Sequence, residues 1–538
     1  MKTRLARNLS LLLSILLIVS FMGCATVKTT GEDTTSTKGD TKQETKEETK
    51  EQITLKCFAT AGPYTKGDFN DLEMWKEYEK ISGIKVNFES ASGTAVAEKV
   101  GLMFASNTLP DFFFKNGMSK TDLSKYSTEG LIIPLDPYLK EYAPNFSKYM
   151  AEDSSIAKNI RMTDGKIYSF TYLVTASPSR VTPKLLVNDV WLQKSGVKMP
   201  SNLDELYNAL VSFRDSDFNG NGKKDEIGVS SEYFVQTLRA ISGSFGLMTR
   251  GSAQNKWDID EATNKLRFIP TSARYKEYLQ YLNKLYSENL LDQEIFTIDI
   301  AKFTAKAQQQ QIGFAFAGNN NYLGDYKNDY VTLPAPLIGP HGDQLYSGRT
   351  IPVAGLTAQI TNVNKYPGET VRWIDYFYSQ DGIRLYFMGI EGETYYIDSN
   401  GKPQFTDYVT KNPNGLSMEE ALGRFVAWSG GGNPSVADDL HFGNHLIPKI
   451  SVEGAQALLP YTPKEVWGSF TYTPEESTRL SVLQQDIDTY VDDTAAKLIA
   501  GQVSFDTWDA YVSNIEKMGL KEYREIVQAA LDRYSQFD

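Results

Sequence analysis

The chain is poor in the residues that build metal, redox and nucleophilic centres. It carries two cysteines and three histidines among 538 residues. Cys24 falls in an N-terminal leader-like segment, so Cys57 has no partner for an intramolecular disulfide, and a cysteine-based metal site is excluded by count. Cys57 lies in an apolar stretch and reads as a small buried hydrophobe. His441 and His445 are four apart, but Phe442-Gly443-Asn444 between them supplies no glutamate beside the first histidine, so the zinc-protease pattern is missing. A Gly-x-Ser-x-Gly elbow and a Walker phosphate loop are absent too. Acidic residues are plentiful, which leaves a pair of glycosidase carboxylates open. Beyond the first 22 residues, no apolar run approaches the roughly 20 residues of a membrane-spanning helix. Positive charge is also short: the net charge of −12 argues against nucleic acid as a partner.

What is present begins with an address. Lys2, Arg4 and Arg7 precede the apolar run Leu9–Met22, the layout of a signal peptide over residues 1–23. Removing those three cations moves the net charge from −12 to −15. Phe21-Met22-Gly23-Cys24 resembles a lipobox, with Phe21 where leucine is usual, and makes Cys24 the expected lipidation site. Residues 24–52 are rich in Thr, Lys, Glu, Gly and Asp and lack aromatics, a composition that reads as a disordered tether. An ordinary secretory signal with an incidental cysteine is the alternative.

Ordered structure is expected from Ile53. A strand at Thr54–Phe58 is followed by helical spacing of Leu72, Trp75, Tyr78 and Ile81, stopped by Gly83. Ile84, Val86 and Phe88 alternate as a strand. A helix over Ala95–Ser106 and a buried strand over Asp111–Phe114 complete a β-α-β-α-β order, which predicts an α/β lobe with a mainly parallel sheet. Helices are expected at Ser201–Arg214 and Tyr275–Glu288, then a strand at Gln311–Phe316 and three helices from Pro474 to Tyr534.

Asp215–Gly228 stands apart. Asp217, Asn219 and Asn221 carry oxygen at every second position, with Gly220 and Gly222 free to take the positive φ that a tight coil needs. Lys223 offers its carbonyl, and Asp225 and Glu226 close the run. Calcium takes six to eight hard oxygen ligands. An EF-hand register starting at Asp215 puts lysine in its ninth place. A shorter register, Asp217, Asn219, Asn221, Lys223, Asp225 and Glu226, fits better. An Asn-Gly turn with solvated charges is the plain alternative.

This loop, the preceding Asn188–Leu206, and Leu109-Pro110-Asp111-Phe112 strongly resemble bacterial extracellular solute-binding lipoproteins of ABC importers, of the alginate-oligosaccharide-binding and LipO-like type. The resemblance covers about Thr54 to Tyr534. It implies a two-lobed α/β periplasmic-binding-protein-like fold with a ligand cleft between lobes. Residues 53–180 and 181–345 would begin the two lobes, and 346–538 would return to the first lobe and add a helical end with some contribution to the second. It further implies structural calcium in the loop, an oligosaccharide ligand, ABC permease transmembrane subunits as partners and a monomer anchored on the extracellular face of the cell membrane. A secreted glycoside-active enzyme and a ligand-presenting partner of a membrane sensor remain alternatives.

Sugar binding needs aromatic faces and planar polar groups. Trp428, beside the glycine-rich run Ser429–Gly432, is a stacking candidate, with domain packing the alternative. Asn319, Asn320 and Tyr322 follow an apolar strand, where α/β crevices collect ligand groups; a surface turn is the alternative. Asn116 takes the analogous place after Phe112–Phe114, and Tyr64 follows the first strand. Tyr172, Phe245, Trp257 and Arg349 are weaker candidates, for each of which core packing or a rim position is the favoured alternative to ligand contact.

Overall fold

The computed structural model describes residues 52–537, apart from 261, 262, 264, 429–432 and 444–446. The leader, Cys24 and the tether up to residue 51 lie outside the described residues, as do the Ser429–Gly432 run and His445.

Fourteen strands are described. In chain order they are β1 (Thr54–Thr60), β2 (Lys85–Ala91), β3 (Phe112–Met118), β4 (Phe170–Val174), β5 (Lys184–Asn188), β6 (Ile227–Ser231), β7 (Trp257–Asp260), β8 (Lys265–Phe268), β9 (Ile312–Ala317), β10 (Tyr330–Thr332), β11 (Val353–Ile360), β12 (Tyr395–Ile397), β13 (Pro403–Phe405) and β14 (Val436–Ala437). Two sheets organise them. The first has the order β14-β4-β11-β3-β1-β2, and the second β10-β5-β9-β6. β1 pairs parallel with both β2 and β3, as the alternating strand–helix pattern predicts. β11 inserts antiparallel between β3 and β4. In the second sheet, β6 and β9 are parallel while β5 runs against β9.

Local chemistry explains the element ends. Helix Glu73–Ser82 stops at Gly83, whose φ of 68° suits a residue without a Cβ. Helix Leu203–Arg214 starts where the Asn202 side chain accepts from the Glu205 N–H. The long helix Pro474–Ile499 opens with a capping box between Thr473 and Glu476 and a proline in its first turn.

Each sheet has its own core. Around the first, Trp75 stacks on Phe88 at 4.8 Å and on Trp373 at 5.7 Å, against a floor of Phe112 and Phe114. Ile81 is the exception to the helical reading: it is 52% exposed. The second core collects Leu206, Leu210 and Phe213, the strands β5 and β9, and the C-terminal helices through Leu483, Ile487, Val491 and Val527. The last helices therefore bury their apolar faces in the second core, and the chain's return to the first sheet ends with β14.

Candidate functional site: strand ends and an oxygen-rich loop

Strand direction brings the site together. β4 is antiparallel to β11, which is antiparallel to β3, so β1, β3 and β4 all end on one edge of the first sheet. From that edge, residues 175–183 cross to β5. Lys184 at the start of β5 pairs with Ala317 at the end of β9, and β6 ends alongside β9. The carboxyl ends of the parallel strands of both sheets thus flank one crossing, the place where α/β folds gather ligand groups.

On the second sheet, Glu232 follows β6 and is 4% exposed. The Gly318 N–H donates to its Oε1 at 2.9 Å. Burial pushes its carboxyl up to about 7, with the Gly318 N–H and the Lys184 charge pulling the other way. Lys184 donates to the carbonyls of Pro178 and Val181, both in the crossing, at 2.6 Å. Burial draws the Tyr322 hydroxyl upward, with Glu232 and Tyr233 adding to the shift, so these three groups share one electrostatic neighbourhood. Tyr233 is 43% exposed and free to stack.

On the first sheet, β3 kinks as it ends. Lys115 has φ of 60°, Gly117 has φ of 61°, and the β11 register slips opposite them. Such bulges and left-handed residues recur where a strand re-aims a side chain. Lys115 is buried and donates to the Ala427 carbonyl at 2.7 Å and the Trp428 carbonyl at 3.4 Å. Burial lowers its ammonium to about 7. Asn116, one residue on, has both amide atoms buried without a hydrogen-bond partner. Such a group costs free energy until something satisfies it.

The loop after helix Leu203–Arg214 coils tightly. Gly220 and Gly222 have φ of 72° and 79°. Asp217 accepts from Asn221 N–H (3.1 Å) and Gly222 N–H (2.9 Å), and Asn221 Oδ1 accepts from Lys223 N–H (2.8 Å). The amides of Asn219, Asn221 and Gln311 all point at the Asp225 carboxylate. Glu226 is 4% exposed; its Oε1 accepts from Phe218 and Asn219 N–H, while its Oε2 is buried without a partner. Asp215 stands apart, its carboxylate held by Arg214 at 2.9 and 3.0 Å. Among the described residues no group of three or more His, Cys, Asp or Glu is poised around one metal position. Half the donors here are of another kind, amide and main-chain oxygens. The fit of this loop to a hard cation rests on the orphaned Glu226 oxygen and on Asn219 and Asn221, whose amide oxygen and nitrogen can exchange places by a simple flip.

Residues 70–383, more than half the chain, match the family model described as bacterial extracellular solute-binding protein. The chain belongs to that family. It is 26% identical over 497 residues to the fructooligosaccharide ABC transporter substrate-binding protein FusA of Streptococcus pneumoniae, covering 89% of this chain and 90% of FusA. The structure of FusA in complex with kestose superposes with a TM-score of 0.70, covering 90% of this chain and all of that one. Lipoprotein LipO of Bacillus subtilis is 24% identical over 373 residues, 65% of this chain and 68% of LipO. The alginate-binding protein AlgQ2, solved without calcium ion, shares the fold at 22% identity and a TM-score of 0.67, covering 90% and 99% of the two chains. FusA has also been solved as an EF-hand mutant with fructo-nystose.

The solute-binding protein accordingly has the two-lobed α/β fold, one sheet to a lobe. Its structure sorts the residues singled out from sequence. Asn116, Asn319 and Tyr322 sit at strand ends beside the crossing, and Tyr64 is 38% exposed just beyond β1. Asn320 is 7% exposed and donates to the Lys327 carbonyl, serving its own loop. Tyr172 lies within β4, where burial drives its hydroxyl strongly upward. Three candidates are core side chains. Phe245 is 3% exposed, with its ring 5.7 Å from Tyr278 and 5.8 Å from Tyr281; it is a core side chain of the second lobe. Trp428 is 9% exposed, lies 5.9 Å from Phe387 and belongs to the first core, so it is not the reachable platform that its glycine neighbours suggest. Trp257 is likewise core, against Tyr523. Arg349 lies on the return crossing, bridged to Val181. Glu232 was not singled out by sequence. Its signal was an acid directly after a strand in Ser230-Ser231-Glu232-Tyr233, legible only once that strand was known to border the cleft.

Proposed function

We propose that this protein captures an oligosaccharide between its lobes and delivers it to an ABC importer. The observation that carries this reading is a pair of buried polar groups at strand ends that border the same crossing: the Glu232 carboxyl on one lobe and, on the other, the Asn116 amide, which has no hydrogen-bond partner. The likeness to FusA over 90% of the chain supports the sugar class. A sugar hydroxyl both donates and accepts, so a buried carboxylate and a free amide suit it, and Tyr64, Tyr233 and Tyr322 offer ring faces. Ligand touching both lobes favours the closed state because only that state makes both sets of contacts.

In this reading Cys24 carries a lipid, residues 24–52 tether the folded part above the extracellular face of the membrane, and permease transmembrane subunits receive the ligand from a monomer. Nucleic acid is not a partner. The kinship with LipO supports the anchor. Calcium, when bound, neutralises the clustered acids of the loop. Asp217, Asn219, Asn221, Asp225, Glu226 and the Lys223 carbonyl would hold it, while Asp215 stays with Arg214. The EF-hand mutant of FusA and the calcium-free AlgQ2 structure support this assignment.

The test is a thermal-shift screen against neutral and acidic oligosaccharides in saturating calcium. A ligand at 100 times its dissociation constant stabilises by about 2.7 kcal/mol. A shift with the sugar recovered intact supports a binding protein. A shift that fades as the sugar is cleaved supports a glycoside-active enzyme instead.

A further inference from the structure

A second polar pocket of about 350 Å³ lies where the chain crosses between the lobes. Its walls come from separate segments: Asp153 and Lys158 from the first lobe, Arg180 and Arg349 from the two crossing strands, and Lys464 and Glu465 from the stretch leading to the C-terminal helices. Arg180, Arg349 and Lys464 share the pocket with the carboxylates of Asp153 and Glu465, a gathering of basic groups in a chain of net charge −12. Asp153 is already engaged, accepting from the Ser155 N–H at 3.0 Å and hydroxyl at 2.6 Å.

The two guanidinium groups are held in place by main chain rather than by acids. Residues 180–182 and 348–350 pair antiparallel, with Thr182 N–H donating to Gly348 O (2.8 Å) and Thr350 N–H to Arg180 O (2.9 Å). Arg180 Nε donates to the Thr350 carbonyl at 3.0 Å, and Arg349 Nη1 to the Pro463 carbonyl at 3.4 Å. None of the described ion pairs involves Arg180, Arg349 or Lys464. Burial and then the Arg349 charge lower the Arg180 pKa, with the Asp153 carboxylate pulling the other way, so both the second guanidinium and one acid lie within electrostatic reach of the first. Guanidinium forks that lie close together bind tetrahedral or planar oxyanions through paired N–H groups.

We propose that this pocket binds a small oxyanion, gripped by Arg180, Arg349 and Lys464, and that the bound anion ties both crossing strands to the 463–466 segment. The oxyanion is either a free ion such as phosphate or an anionic group carried on a sugar. The proposal stands whichever solute the cleft takes.

The experiment is calorimetric titration of the whole chain with inorganic phosphate at constant ionic strength. It is repeated with a galacturonate oligosaccharide, and with Arg349→Gln and Arg180→Gln variants whose folding is checked by circular dichroism. One saturable site per chain is expected, weakened at least about tenfold by either substitution. Phosphate binding that leaves the uronate untouched assigns a free ion; uronate that competes with phosphate assigns a ligand-borne group. Absence of saturable binding by both probes, or equal binding in both folded variants, would overturn the proposal. Binding of neutral oligosaccharides, measured separately, reports on the cleft and not on this pocket.

Discussion

At the scale of single residues, Glu232 is the most informative side chain. Its folded pKa of about 7 lies above the ordinary 4.5, so the unfolded chain gives up the proton first. Stability from this group is therefore present below about pH 4.5, falls as pH rises to about 7, and is level above that. Glu232→Gln should raise stability at pH 8 by about 1–3 kcal/mol and flatten the pH dependence in that window. Urea melts at pH 4.5, 6 and 8 would show it, and an unchanged slope would contradict the assigned burial. The same variant should bind ligand at least about tenfold more weakly, because a charged acceptor has been lost. The place of Asn116 near the end of a strand was legible from sequence because it follows three phenylalanines that read as a buried strand. Trp428 was read as reachable because a tryptophan beside glycines looks the same whether the turn faces solvent or closes over a core, whereas the core alternative set beside Phe245 is the one the second lobe shows.

At the scale of elements, the coil between Arg214 and Ile227 was readable in detail. Alternating oxygen side chains and two glycines leave few other conformations, and the two competing registers part at Asp215, which turns away to Arg214. Chelation should lower the melting temperature of the native chain but leave Glu226→Ala insensitive to calcium; differential scanning calorimetry with and without chelator checks this. The variant should also lose roughly 1–3 kcal/mol outright, since Phe218 and Asn219 N–H lose their acceptor. The crossing was less legible, because nothing in Pro178–Leu186 announces its antiparallel mate at 348–350. Gly348 sits where a Cβ would lie 2.2 Å from the Thr182 carbonyl. Gly348→Ala should push the crossing strands apart, cost about 1–3 kcal/mol and weaken ligand binding, read by melts and titration together. The helices and strands of the first lobe were legible because their periodicities are clean. The destination of the C-terminal helices was not, since an amphipathic face does not say which of two cores it covers.

At the scale of the whole molecule, two sheets with separate cores joined by crossing strands make a body that can close as two rigid parts. Ligand should lower the radius of gyration in solution scattering, and Glu232→Ala, with no purchase on one wall, should blunt that change. In the proposed function the cleft holds an oligosaccharide and returns it intact. Calorimetric titration with short fructooligosaccharides in saturating calcium, followed by chromatography of the sugar, tests it most directly. Saturable binding, abolished by Glu232→Ala, with every sugar recovered uncut, is the expected result. Absence of binding across neutral and acidic oligosaccharides, or recovery of cleaved sugar, would contradict it.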